Sequence, residues 1–275
     1  MLCSAAIIDA LATALRLLYP AGSNLPPVVI DPVTISTSGH TLLPTSAISA
    51  LKAQIVPLGF VLTPNVLEAE MLLSDEGAHG EGLEAKARTL AEGKRRITDL
   101  DAMLSSAREL ARLGCPNVLL KGGHLALDLP VVQAQLRALT QAGTLSPADV
   151  LWPEDEGIRI LESINGSSAQ EKVVVDVLWE SATSRCTAIV SRLIPTKNTH
   201  GTGCTLSAAL AVYLGKGLNG MSVISDARRS LQMLTSTSLR QFATRPCSRM
   251  PTSASRSRRR TTSAQGMAHS TTSSR

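Results

Sequence analysis

Apolar residues recur along the first 240 residues at spacings that alternate between those of helices and those of strands. Near the start, Ile7, Leu11 and Leu18 share one helical face and predict an amphipathic helix. Short apolar runs next to proline or glycine predict buried strands at 28–31, before Thr63 and at 117–120. Further helices are predicted over 45–57, 100–113, 205–214 and 222–240. This alternation predicts an α/β fold with a mostly parallel sheet flanked by helices.

Three stretches depart from the alternation. Residues 172–179 and 187–194 are apolar neighbours in sequence and predict an antiparallel pair at the edge of the sheet. Residues 126–171 are polar and irregular, which predicts a surface insertion. Residues 241–275 are rich in Ser, Thr and Arg and nearly lack large apolar side chains, so they predict a disordered tail. We therefore expect one domain over 1–240, including the insertion, and a separate tail over 241–275.

The positive charge of the chain belongs to its tail. The net charge is +5, but residues 240–275 carry eight arginines and no acidic residue, so the rest holds about −3. The body therefore gives no reason to expect nucleic-acid binding. Two interpretations of the tail stay open, a polybasic interaction arm and the product of an incorrect reading frame or splice junction.

Membrane and secretion signals are not found in the sequence. No apolar run approaches the ~18 residues that a membrane span needs. The amphipathic start carries Asp9 and Arg16 and lacks a basic segment ahead of it, unlike a signal peptide. The five cysteines are widely spaced without a CxxC pair, which argues against a disulfide framework or a zinc site. We expect a cytoplasmic protein.

An anion site is predicted at 198–210, whose sequence is NTHGTGCTLSAAL. Two glycines flank Thr202 directly before a helix, where backbone N–H groups and the helix dipole together favour an anion. Cys204 falls on the first helical turn, where the dipole lowers a thiol pKa, so it is a candidate base for a substrate hydroxyl. The alternative is an ordinary turn with a small buried cysteine.

Oxygen ligands and a lysine follow the predicted strands. Asp31 lies at the carboxyl end of a strand, where ligands bind in open α/β sheets, although a plain strand-to-turn transition explains it equally. Asn65 and Glu68 share a face at a helix start and suit Mg²⁺, held through water; the alternative is a helix cap with a capping box. Lys121 follows a buried strand and can reach nucleotide phosphates, or it is simply solvated.

Four segments in order resemble one family. NTHGTGCTLSAAL resembles the anion-hole signature of the hydroxymethylpyrimidine/phosphomethylpyrimidine kinases of thiamine biosynthesis, which are ribokinase-like enzymes. VIDPV followed by STSGH (29–40), LTPNVLEAE (62–70) and LKGGH (120–124) resemble further segments of the same family. Thr34 stands where the family usually has Met, which is expected to loosen the substrate pocket.

The resemblance implies an ATP- and Mg²⁺-dependent kinase that phosphorylates 4-amino-5-hydroxymethyl-2-methylpyrimidine or its monophosphate. It implies roles for residues of all four segments and for the first residue of the chain. These are Cys204 as catalytic base, Gly201, Thr202 and Gly203 as anion hole, Lys121 and Thr199 for the nucleotide, Met1 and Val33 for the pyrimidine, and Asp31, Asn65 and Glu68 for the metal.

The chain departs from the family pattern at its front. Family members begin with a glycine-rich segment and strands that this sequence does not show, so we expect a ribokinase-like fold that lacks the N-terminal strands. An uncovered sheet edge favours self-association, which allows a homodimer. Two alternatives remain open: a catalytically impaired fragment or mis-predicted gene product of this family, and a pyridoxal kinase-like activity.

Overall fold

The computed structural model describes residues 4–20, 23, 25–34, 42–74, 96–123, 125–152, 171–193 and 201–217. By contacts the chain divides into a unit over Met1–Met233 and a second over Leu234–Arg275. All described residues belong to the first unit, so the helix predicted over 222–240 and the predicted tail lie outside them. The domain boundary at residue 240 stays a prediction.

The first half of the described chain alternates helices with short strands, as the apolar pattern predicts. Its elements are α1 (Ala5–Leu18), β1 (Val29–Ile30), α2 (Thr45–Ala50), β2 (Val61–Leu62) and α3 (Val66–Leu72). After α2 the helix continues as a π-helical turn, Leu51–Ile55, and a 3-10 turn, Val56–Leu58. The helix predicted over 45–57 is therefore confirmed, and it ends where Pro57 lacks the N–H that another α-helical turn would need.

The second half contributes the longer strands and the helix that carries the glycine-rich motif. Its elements are α4 (Leu100–Ala111), β3 (Asn117–Leu120), β4 (Leu127–Asp128), α5 (Leu129–Gln141), a 3-10 turn (Pro147–Asp149), β5 (Val150–Leu151), β6 (Lys172–Glu180), β7 (Arg185–Arg192) and α6 (Thr202–Gly215). The helices predicted over 100–113 and 205–214 are confirmed as α4 and α6.

The described strands form one seven-stranded sheet with the order β1-β2-β3-β6-β7-β5, and β4 pairs with the start of β6. β1, β2 and β3 are parallel to one another, and β5 is parallel to β7. β6 runs antiparallel to β3, β4 and β7. Six of these seven strands thus point the same way, which confirms the mostly parallel sheet and brings the carboxyl ends of β1, β2 and β3 to one edge.

The antiparallel pair is confirmed but its predicted place at the sheet edge is wrong. β6 lies between β3 and β7, and β5 covers the far side of β7. Six consecutive residues of β6, Val173–Leu178, are buried. Because an edge strand of a half-exposed sheet alternates buried and exposed residues, a continuous buried run of this kind marks an interior strand with both faces covered.

The prediction of an irregular insertion over 126–171 is also wrong for the residues of that range which the structure describes. Residues 127–151 contain two strands and α5, a 13-residue helix. The helix buries Leu129, Val132, Leu136 and Leu139 in the main core. These four residues recur every three or four positions, but apolar Val131, Ala134 and Ala138 are exposed on other sides of the helix and obscure the helical pattern.

Two apolar layers cover the sheet, one on each face. In β3, Val118 and Leu120 join the larger cluster with α1 to α5, whereas Leu119 joins a smaller cluster built on Leu206 and Leu210 of α6. Successive residues of a strand point to opposite faces, so this division shows helices on both sides of the sheet. Among the described residues, no helix has both the length and the apolarity to span a membrane.

Candidate active site

Three chain segments meet where β1, β2 and β3 end. Asp31 directly follows β1, Thr63 follows β2 and Lys121 follows β3. Asn65 and Lys121 pair as an isolated parallel bridge, which extends the β2–β3 contact past the strands themselves. The crevice outside the carboxyl ends of parallel strands is where open α/β sheets bind ligands. The structure thus brings residues of three sequence motifs to the predicted edge.

An ion pair joins two of these segments. Lys121 Nζ lies 3.0 Å from Asp31 Oδ1, and the two side chains are 10% and 16% exposed. A charge this far from water is costly unless it has a partner, so each residue depends on the other. The alternative of a solvated lysine is therefore excluded, and Asp31 is more than a residue of a turn.

The backbone around Lys121 is fixed from both sides. Its N–H donates to the carbonyl oxygen of Pro64 at 2.8 Å. The next N–H, of Gly122, donates to the buried carboxylate of Asp176 at 2.9 Å. A Cβ added to Gly122 would lie 2.2 Å from the carbonyl oxygen of Val175, so only glycine lets this turn approach β6. These contacts aim the lysine along the sheet edge toward Asp31.

The glycine-rich turn supplies the other wall of the site. Gly201 caps α6 with φ at +80°, a left-handed conformation that glycine adopts without strain, and its carbonyl accepts the N–H of Thr205 at 2.9 Å. Thr202, Gly203 and Cys204 form the first helical turn. A Cβ on Gly203 would lie 3.0 Å from Lys121 Nζ. The amino end of α6 and the lysine therefore face the same point, as a phosphate group requires.

Asn65 and Glu68 form the helix cap that the sequence left open as an alternative. Asn65 Oδ1 accepts the Glu68 N–H at 2.9 Å, and Glu68 Oε2 accepts the Asn65 N–H at 2.8 Å. Both donors are groups that a helix start leaves without an intrahelical partner. The capping box is confirmed, and the metal role of the two residues stays a prediction.

Glu68 has an unusual acidity for a glutamate. Only 3% of it is exposed, and this burial raises its pKa from 4.5 to about 7. The Asn65 hydrogen bond and the positive charge of Lys121 lower the pKa, while the negative charge of Asp31 raises it. The carboxyl group is therefore about half protonated at neutral pH, and its pKa depends on the charges of both Lys121 and Asp31.

Cys204 departs from its expected acidity. Burial raises the pKa of this thiol, and the carboxylate of Asp31 raises it further through its charge and a hydrogen bond. Lys121 acts in the opposite direction, and Glu68 adds to the increase. The net pKa is therefore raised, against the prediction that the helix dipole lowers it, chiefly because partial burial disfavours the thiolate and then because of the two carboxylates. The alternative of a small buried cysteine is wrong too, since Cys204 is exposed.

The oxygen-bearing residues fit a hydrated Mg²⁺ better than a directly bound ion. Among the residues the structure describes, no three His, Cys, Asp or Glu side chains are grouped as metal ligands would be. Asn65 Oδ1 and Glu68 Oε2 already accept hydrogen bonds in the cap. The two carboxyl groups of Asp31 and Glu68 are hard oxygen donors that still suit an ion which keeps most of its water.

Of the three remaining predicted site residues, the structure describes Val33. Val33 follows Asp31, whose carbonyl accepts its N–H at 2.9 Å, and it is half-buried beside the site. Met1 and Thr199 lie outside the described residues.

Three polar residues that contact the site were not predicted from the sequence. Thr63, Ser207 and Asp176 are all buried, and each bonds to a segment of the site. Only Asp176 had a visible signal, since it is a charged residue inside the apolar run KVVVDVLW.

Comparison with known proteins places the chain. Residues 1–146 and 160–244 match the sequence profile described as Phosphomethylpyrimidine kinase. The chain belongs to this family. The profile runs through 126–146 and leaves out 147–159, so only a short part of the predicted insertion departs from the family pattern.

The thiamine biosynthesis bifunctional protein ThiED of Geobacter sulfurreducens is 33% identical over 202 residues. The hydroxymethylpyrimidine/phosphomethylpyrimidine kinase of Rhizobium meliloti is 29% identical over 203 residues.

These family relatives are longer than the part that matches. The alignments cover 74% of this chain in both cases, but 28% of the Geobacter protein and 52% of the Rhizobium protein. The phosphomethylpyrimidine kinase of Clostridium difficile has a similar solved structure, with a TM-score of 0.50 and 22% identity over 86% of this chain and 66% of that one. A pyridoxal kinase of Staphylococcus aureus, in complex with AMP-PCP and pyridoxal, has a TM-score of 0.51 and 17% identity over 84% and 58%. The fold is thus ribokinase-like.

Proposed function

We propose that this phosphomethylpyrimidine kinase family member transfers the γ-phosphoryl group of ATP to 4-amino-5-hydroxymethyl-2-methylpyrimidine or its monophosphate, in thiamine biosynthesis. One observation carries the proposal. Asp31, Lys121 and the amino end of α6 come from three separate motifs and meet at the carboxyl edge of the sheet, where Lys121 Nζ lies 3.0 Å from Asp31 Oδ1 and faces Gly203. A cation, fixed backbone N–H groups and a carboxylate together match a transferring phosphoryl group.

The nucleotide end of the site is assigned to the lysine and the glycine-rich turn. Lys121 and Thr199 hold the ATP phosphates, and Gly201, Thr202 and Gly203 present backbone N–H groups to the transferring group. Lys121 is suited to this role because its ion pair with Asp31 already holds it next to Gly203. Catalysis then rests on positioning and charge stabilisation, which dominate phosphoryl transfer.

The metal end is assigned to Asp31, Asn65 and Glu68. A bound Mg²⁺ would neutralise phosphate charge, and these residues would hold it through water. Since the pKa of Glu68 is about 7, its ionised form grows as the pH rises through neutrality. The protein therefore offers a cation the side-chain oxygens of Asp31 together with a pH-dependent carboxylate, that of Glu68.

The hydroxyl end is assigned to Cys204, Val33 and Met1. Val33 and Met1 contact the pyrimidine, and the Cys204 thiolate accepts the proton of the attacking hydroxyl. Because neighbouring carboxylates raise the pKa of this thiol, the thiolate is scarce at neutral pH but is a strong base once formed. Turnover is therefore expected to rise with pH as the thiol ionises.

Since Cys115, Cys186 and Cys204 are free thiols, we also propose a reducing, cytoplasmic location.

The test is ADP formation from Mg-ATP by the purified chain with three acceptors: hydroxymethylpyrimidine, its monophosphate and pyridoxal. We expect turnover with a pyrimidine and little with pyridoxal. Lys121→Met is expected to be inactive, but it leaves the mostly buried Asp31 without its charge partner. The double variant Asp31→Asn/Lys121→Met removes both charges and is expected to be inactive as well. Lys172→Met, which breaks the exposed pair with Asp128, is the control. Pyridoxal-only turnover would favour the pyridoxal kinase alternative, and no turnover the impaired fragment.

A further inference from the structure

Two buried hydroxyl groups, one of them on α6, link Asp31 to the first turn of that helix. They belong to Thr63, which is fully buried, and to Ser207, which is 6% exposed. We call them the hydroxyl pair. Their oxygens are 2.8 Å apart, although the residues are 144 positions apart in sequence. At that separation one hydroxyl donates a hydrogen bond to the other.

The hydroxyl pair connects the end of β1 to the first turn of α6. Thr63 Oγ1 lies 3.3 Å from Asp31 Oδ1 and 3.2 Å from the carbonyl oxygen of Ile30. Ser207 Oγ lies 3.1 Å from the carbonyl oxygen of Gly203. One end of the pair therefore touches the carboxylate that binds Lys121, and the other touches the glycine that faces Lys121.

The two hydroxyls have only two protons for these contacts, because each can donate once. If Thr63 donates to Asp31 or to the Ile30 carbonyl, Ser207 must donate to Thr63, and the Gly203 carbonyl loses the hydroxyl donor. If Ser207 donates to Gly203, Thr63 must donate to Ser207, and Asp31 keeps Lys121 as a donor but loses the Thr63 hydroxyl. As long as the pair stays bonded, it serves one end at a time.

We propose that Thr63 and Ser207 are positioning residues that couple the charge on Asp31 to the anion-binding turn of α6. This rests on the proposed function only for its effect on turnover. An ionised Asp31 attracts the Thr63 proton, since hydrogen bonds to charged acceptors are the stronger ones. When a further cation joins Lys121 at that carboxylate, the pair turns toward the Gly203 carbonyl. The state of the carboxylate is thereby transmitted to the glycine-rich turn.

Two substitutions separate the hydroxyl from the packing at position 63. Thr63→Val keeps the size and removes the hydroxyl, whereas Thr63→Ser keeps the hydroxyl and removes a methyl group. We expect Thr63→Val and Ser207→Ala each to lower kcat about 10-fold, the scale of a hydrogen bond to a charged group, with a smaller change in the KM for ATP. Thr63→Ser is expected to stay near wild type. The double variant should lose no more activity than the less active of the two single variants, because the hydroxyls act as a unit.

Amide hydrogen exchange at the first turn of α6 gives a readout that does not need turnover. The N–H of Thr205, bonded to Gly201, is expected to exchange several-fold faster in Thr63→Val and in Ser207→Ala. The controls are Thr187→Val and Ser191→Ala, which remove equally buried hydroxyls from β7. They should change exchange at this turn little.

The outcomes are distinct. Unchanged exchange at Thr205 in both variants overturns the coupling, even in an enzyme that forms ADP. A larger defect in Thr63→Ser than in Thr63→Val also overturns it, because packing would then be the cause. Wild-type protein that forms no ADP refutes the proposed function, while the exchange comparison still decides the coupling. Should Thr63→Val fail to fold, Ser207→Ala carries the same comparison.

Discussion

Glu68→Gln should make the protein more stable at neutral pH, although it removes a group from the candidate site. Glu68 is 3% exposed, and its pKa is raised from 4.5 to about 7, chiefly by burial. The glutamine side chain keeps an oxygen that accepts the Asn65 N–H, so the capping box is preserved. The substitution thus removes the ionisable proton and little else.

The size of the effect follows from the two pKa values. Below about pH 4.5 the carboxyl group is protonated in both the folded and the unfolded chain, and its ionisation costs nothing. As the pH rises toward about 7 the unfolded chain loses the proton first, so the wild-type protein loses stability across this window. At 1.36 kcal/mol per pKa unit the full loss is about 3 kcal/mol. Above the window the loss stays constant.

Urea unfolding of both proteins at pH 5 and pH 8 measures this loss. The Glu68→Gln protein should gain about 2 kcal/mol or more over wild type between the two pH values. Glu109→Gln, an exposed change on α4, controls for the removal of any one carboxylate. A difference between wild type and Glu68→Gln that stays the same at both pH values would refute the burial argument.

Four further outcomes are expected. Cys204→Ala should lower kcat at least ~10-fold while ADP affinity stays within a few-fold, and a smaller loss in a steady-state assay removes the base assignment. Gly203→Ala places a Cβ 3.0 Å from Lys121 Nζ, so calorimetry should show weaker ATP binding. Deleting 241–275 should leave the melting temperature unchanged; a clear drop means that the tail docks on the body. Leu18 is 72% exposed on α1, so Leu18→Lys should reduce self-association in light scattering, unless the wild type is already monomeric.

The residues that the motifs single out were predictable because each motif is local. Asp31 and Lys121 follow short apolar runs, and in a parallel sheet the ends of such runs meet at one edge. The structure confirms that meeting with an ion pair of 3.0 Å. The same logic placed a helix directly after the glycine-rich turn, although α6 begins at Thr202, three residues earlier than predicted, and takes Gly203 into its first turn.

The acidity of the site was not predictable in this way. The position of Cys204 on a first helical turn is a local fact, and it points to a low thiol pKa. The pKa is raised first by partial burial and then by the charges of Asp31 and Glu68, and both causes arise only in the folded chain, where other segments surround the thiol. The helix α5 was not predicted for another reason: its four buried leucine and valine side chains recur at helical spacing, but the segment also exposes Val131, Ala134 and Ala138, which obscure that spacing.

The glycines of the motifs show why these distant segments must change together. Gly122 has no room for a Cβ because the carbonyl oxygen of Val175 on β6 occupies that place, whereas a Cβ at Gly203 would lie 3.0 Å from Lys121 Nζ and would push the end of the lysine side chain slightly aside. Neither residue has the positive φ that makes a glycine necessary for its own backbone, in contrast to Gly201. Their requirement comes from a neighbouring segment, so a side chain at either glycine displaces the lysine or the turn that carries it. The lysine turn, β6 and the start of α6 therefore form one closely packed unit, in which the glycines set the distance between the lysine and the backbone of the glycine-rich turn.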